Sequence, residues 1–203
     1  MNASLSSASS HGSLMARLRA QTSDHHRRIE AVVPVLRDDL DVARYRDYLG
    51  RLLGYIAPIE ARLLAFRSEF MAAQLDLAAR CKARLLEEDL AALGVEPDEL
   101  DSLPRCEALP ALPSFDDALG CLYVLEGSTL GGVVVKRTLG PRLALTVDNG
   151  LRFLAGYGEQ TACSWRAFSD AVLRHERAHC DPDVVIRGAR DTFDTMTEWL
   201  RHA

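Results

Sequence analysis

Apolar residues recur along this chain at three- and four-residue intervals, and no stretch alternates with period two over a strand length. Leu14, Leu18, Thr22, His25 or His26, Ile29 and Val33 form one stripe, which predicts a helix over 14–33 closed by Pro34. Asp41 precedes an amphipathic run over 42–66, with Tyr45, Leu49, Leu52, Leu53 and Ile56 on its core face and Pro58 expected to kink it. A third helix is expected over 71–93, ending at Gly94. Pro97, Pro104, Pro110 and Pro113 make 95–113 an irregular connection with one short helical turn over 97–100. Short and long helices follow over 151–155 and 161–179, the second carrying Trp165, Phe168, Val172 and His175 on one face. Asp181-Pro182 reads as an N-cap and first helical position, opening a last helix that turns Val185, Ala189, Phe193, Met196 and Leu200 inward. The pattern predicts an all-α, single-domain, multi-helix bundle over 14–203, behind a Ser-rich disordered tail over 1–13.

The most informative stretch is 114–140, SFDDALGCLYVLEGSTLGGVVVKRTLG. Ser114 and Asp117 mark a helix start, and Gly140-Pro141 reads as its stop. Gly127, Gly131 and Gly132 lie inside the apolar run, and each costs about 1 kcal/mol relative to alanine. Gly127 and Gly131, four apart, expose main chain on one face. A membrane span with a small-xxx-small motif is opposed by Glu126 at its centre and by the lack of a second span. Two readings stay open on periodicity alone: a buried helix crossing another closely, or a helix laid across a planar ligand.

Composition narrows the function without choosing it. The 203 residues are 48% hydrophobic and 26% charged, ordinary for a globular protein. A net charge of −5 argues against nucleic-acid binding. Five scattered cysteines without a C-x-x-C pair read as free thiols in a reducing, cytoplasmic setting. The first thirteen residues lack the basic and apolar regions of a signal peptide.

Histidines carry the candidate chemistry. His11 and His202 lie near the ends, and His25 and His26 are about 100° apart on the first helix, so only one can face a given site. His175-Glu176-Arg177-Ala178-His179 matches the H-E-x-x-H of zinc metalloproteases, with Asp181, Asp183 or Glu198 as a third ligand. The same two histidines are explained by a helix C-terminus, whose dipole favours them.

Two segments in order resemble the heme oxygenase family, in particular the bacterial, bacteriophytochrome-associated branch that supplies bilin to phytochromes. Residues 18–30, LRAQTSDHHRRIE, are similar to the family's proximal L-[KR]-x-x-T-x-x-x-H-x-x-x-E. Residues 123–132, YVLEGSTLGG, are similar to its distal helix, and Tyr157-Gly158, Trp165-x-x-Phe168 and Ala189-x-x-x-Phe193 extend the likeness to Leu200. The resemblance implies that heme is both cofactor and substrate, sandwiched between a proximal and a distal helix. It implies His26 as the iron ligand, with Arg19, Glu30, Gly127, Gly131, Gly132 and Arg166 as further heme-binding residues. Gly127 and Gly131 would border O2, and Ser128 or Glu126 would hold the water that supplies protons. Ser128 stands where animal enzymes carry an aspartate. The implied products are biliverdin, carbon monoxide and ferrous iron. The implied partners are an external electron donor of ferredoxin or flavodoxin type and a phytochrome as bilin acceptor. Lys136 and Arg137 would meet propionates or the donor, or compensate the helix C-terminus. A protein of the same fold that binds heme or another ligand without degrading it is the alternative.

Overall fold

The computed structural model describes residues 12–178 and 180–201, all helices and connections. The chain runs α1 (Leu14–Gln21), α2 (Ser23–Val32), α3 (Val42–Leu63), α4 (Arg67–Ala72), α5 (Ala83–Ala92), α6 (Pro97–Ser102), α7 (Phe115–Leu143), α8 (Arg152–Ala155), α9 (Thr161–Ala178) and α10 (Pro182–Arg201). No strand occurs among the described residues, so the all-α class is as expected. His11, His179, His202 and the first eleven residues of the Ser-rich segment lie outside the described residues.

Three expectations on helix bounds are corrected. The helix expected over 14–33 is two, broken at Thr22. Thr22 Oγ1 donates to Leu18 O at 2.8 Å and Ser23 Oγ to Ala20 O at 3.0 Å, a local competition with the helix ladder. The helix expected over 71–93 is interrupted between α4 and α5. Gln74 turns left-handed at φ 63°, Leu75 and Leu77 are both buried, and Asp76 Oδ1 accepts Ala78 N–H at 3.0 Å. Glu60 then accepts the amide protons of Lys82 and Ala83 at 2.6 and 3.2 Å, starting α5 from a neighbouring helix. Finally, α7 runs through Gly140-Pro141 to Leu143 and ends on left-handed Ala144 at φ 54°. Proline in that last turn removes one donor, and Leu145 N–H returns to Gly140 O at 2.9 Å.

The core forms where α7 crosses α10, the most extensive helix contact in the molecule. A Cβ on Gly120 would collide with Val185 O and Ala189 N, and one on Gly188 with the Asp117 backbone. Two glycines thus let the backbones touch, while Ser114 caps α7 and Arg187 Nη2 donates to Asp117 Oδ1 at 2.7 Å. Gly188→Ala is expected to cost about 3 kcal/mol by overpacking. It should lower the urea midpoint at unchanged slope. The five cysteines are free, and burial pushes the Cys121 thiol up to about 12.

Candidate functional site

The site begins where α2 and α7 part. The Thr22 side chain lies close enough to Tyr123 to act on its phenol, which brings the start of α2 near α7. Beyond the end of α2, Arg142 Nη2 donates to Val35 O at 3.4 Å, and the 3-10 turn Pro34–Leu36 packs on α7. Between these ties α2 packs along α10 instead. The stretch of α7 opposite holds Gly127 and Gly131, one and two helical turns beyond Tyr123. The stretch between the two ties is the candidate slot.

The two adjacent histidines differ in what they touch. His25 is tied down, its Nδ1 2.9 Å from Asp194 Oδ1 and 2.6 Å from Arg28 Nη2, with the side chain 16% exposed. His26 is 57% exposed, edge-on to Phe193 of α10 with ring centroids 6.0 Å apart. Its Nδ1 lies 3.4 Å from Glu30 Oε2, one turn on. A carboxylate on Nδ1 leaves Nε2 as the nitrogen able to ligate a metal, the usual arrangement for an orienting partner on histidine.

The glycines of α7 divide by environment. Gly132 packs on α8, where a Cβ would lie 3.0 Å from Leu154 O, so it serves helix contact and not the slot. Above Gly131 a Cβ would meet nothing within 4 Å, and above Gly127 only Trp165 Cζ3 at 4.0 Å. Leu130 and Val134, flanking Gly131 on the same face, are 39% and 64% exposed. Bare main chain beside exposed aliphatic side chains suits a flat, apolar ligand. Tyr123 and Trp165, ring centroids 5.8 Å apart, wall one end. By length and hydropathy α7 could cross a membrane, yet half of that window is buried inside the protein.

Other expected site residues are distributed around this opening. Arg19 is exposed and close enough for its charge to act on Tyr123, at the walled end. Arg166 is exposed next to Trp165 on α9. Ser128 is exposed, and its hydroxyl donates to Leu125 O at 2.8 Å. Lys136 is half-buried and Arg137 exposed, beyond Val134 on α7.

Glu126 is placed elsewhere. It is 1% exposed, inside the protein and not at the open face. One carboxylate oxygen is paired with Arg80, and the other accepts from Lys82 Nζ at 2.9 Å and from the Tyr157 hydroxyl at 2.6 Å. Arg80 and Lys82, 10% and 4% exposed, come from the interrupted stretch between α4 and α5. Burial and the Glu126 charge hold the Tyr157 phenol above its ordinary range. The carboxylate therefore locks α7 one residue before Gly127, with both of its oxygens engaged inside the protein. Glu126→Ala should strand two buried cations and cost about 3–5 kcal/mol, read as a lower urea midpoint. This network was illegible in sequence; an acidic residue in an apolar helix was its sole trace.

Of the H-E-x-x-H pattern, His179 lies outside the described residues, and His175 and Glu176 are engaged by other partners. Glu176 Oε1 accepts Leu14 N–H at 2.9 Å, so the would-be base fastens the start of α1. His175 Nε2 lies 2.5 Å from Asp116 Oδ1. A separate cavity of about 940 Å³, lined by Gly50, Leu103, Pro104 and Trp199 among others, contains neither His26 nor the α7 glycines.

The heme oxygenase family model matches residues 12–202. The heme oxygenase PigA of Pseudomonas aeruginosa is 28% identical over 187 residues, covering 91% of this chain and 89% of that protein. The NO- and CO-bound heme oxygenase from Neisseria meningitidis shares the fold, with a TM-score of 0.74 over 95% of this chain and 92% of that chain at 23% identity. With a family match over nearly its whole length, this chain belongs to the heme oxygenase family.

Proposed function

We propose that the chain cleaves heme to biliverdin, carbon monoxide and ferrous iron, using O2 and an external reductant. What supports this reading is an exposed His26 ring on α2 together with open space over Gly127 and Gly131 on α7. Heme, when bound, supplies the iron at which O2 is reduced and the ring carbon that is oxidised.

Each residue then has a physical task. His26 offers Nε2 to the iron, and Glu30 holds the Nδ1 proton, which sets the tautomer and ring orientation. Gly127 and Gly131 keep the distal space free of side chains. Leu130 and Val134 exclude bulk water and shape the apolar wall. Ser128, with helix carbonyls, holds the water that delivers protons, while Glu126 acts as a positioning residue through α7. Arg19 and Arg166 are the cations for the propionates, since each stands at the slot's aromatic end. Lys136 and Arg137 present positive charge to an acidic ferredoxin- or flavodoxin-type donor. Biliverdin would pass to a phytochrome, in the cytoplasm, from the helical domain 14–203 behind its N-terminal tail.

The test is anaerobic loading with ferric heme, followed by reductant and O2. Biliverdin on chromatography with carbon monoxide evolved is the expected result. An unchanged Soret band would instead make the protein a heme carrier.

A further inference from the structure

Asp116, His175 and Cys180 bring one oxygen, one nitrogen and one sulfur within 4.8 Å of one another. They come from the first turn of α7, the last turn of α9 and the connection before α10, and the heme reaction uses none of them. Two of the three donors are already oriented. Asp116 Oδ1 lies 2.5 Å from His175 Nε2, and Asp116 Oδ2 accepts the Asp181 amide proton at 2.8 Å. The His175 ring stands edge-on to Phe115 with centroids 5.1 Å apart, and Phe115 rests on Phe70 at 4.9 Å. The histidine and aspartate side chains are 20% and 16% exposed, so the cluster is set in a wall that an ion could still reach. Burial first, then the charges of Asp116, Glu176 and Asp181, push the Cys180 thiol up, with Arg17 opposing.

We propose that Asp116, His175 and Cys180 form a binding site for a divalent ion of zinc type, with a water as fourth ligand. A mixed nitrogen, oxygen and sulfur set favours a borderline ion over magnesium or calcium, which take oxygen ligands. On binding, the thiol proton is released to solvent, and His175 Nε2 and Asp116 Oδ1 turn from each other to the ion. The Asp181 amide and the Phe115 ring serve as the outer partners that keep carboxylate and imidazole aimed. The ion would clamp the start of α7 to the end of α9 and the start of α10. Glu176 holds the α1 N-terminus at the same corner, so α1 is fastened beside the clamp.

The experiment uses the full heme-free chain after chelator treatment, titrated with Co(II) and then Zn(II). One equivalent of Co(II) should give a thiolate charge-transfer band that Zn(II) removes, and Zn(II) should raise the melting temperature. Cys180→Ser, nearly isosteric, should lose the band and weaken Zn(II) binding at least about tenfold. Cys163→Ser, at an exposed thiol, should keep both. Absence of the band in the unaltered chain, or its persistence in Cys180→Ser, would overturn the site.

Discussion

Replacing His26 with alanine is expected to abolish the Soret and visible bands of the six-coordinate ferric heme complex, while His25→Ala leaves them in place. The asymmetry follows from what each ring touches. His25 is engaged by Asp194 and Arg28 on the α10 side. His26 has a carboxylate near one nitrogen, and more than half of its side chain is exposed. Removing an iron ligand costs at least as much as removing its outer partner, so product formation in His26→Ala should fall by at least about 100-fold. His25→Ala should lose only a partly exposed polar contact, worth about 1 kcal/mol of stability. Absorption spectra of the two variants titrated with ferric heme decide the matter, and a reversed pattern would move the ligand by one residue.

The second large effect is a separation of stability from activity at Gly131. A Cβ there would meet no atom within 4 Å, so a side chain starts into open space in the heme-free protein. Replacing a helical glycine with a strong helix former should then stabilise the heme-free fold by roughly 0.5–1 kcal/mol. The same side chain fills the space beside the iron, so heme still binds but turnover is lost. Urea denaturation of the heme-free variant and biliverdin yield of the loaded one should move in opposite directions. Gly132→Leu is the contrast, because Leu154 O blocks it and it should lose stability. Normal turnover by Gly131→Leu would remove the distal face from the account.

How much of this was legible in sequence depends on the range of the interaction that decides it. Periodicity gave α3, α9 and α10 nearly to their ends, because their core faces repeat at helical spacing. It failed between α4 and α5, where Leu75 and Leu77 continue the apolar pattern although Gln74 has already turned the chain. It also could not tell the glycines of α7 apart. Gly120 and Gly132 serve contacts with α10 and α8, whereas Gly127 and Gly131 face open space, and all four sit in the same apolar run. Glu126 shows the same limit. Its partners Arg80, Lys82 and Tyr157 come from distant segments, so an internal lock looked like a group for the site. Phe193 was assigned to the core by its spacing, and it is buried, yet its ring edge also meets His26.

The most direct measurement is a crystal structure of the one-to-one ferric heme complex. The account expects the iron on His26 Nε2 and the macrocycle over the main chain of Gly127 and Gly131. Heme seated on His25, or in the cavity beside Trp199, would contradict it.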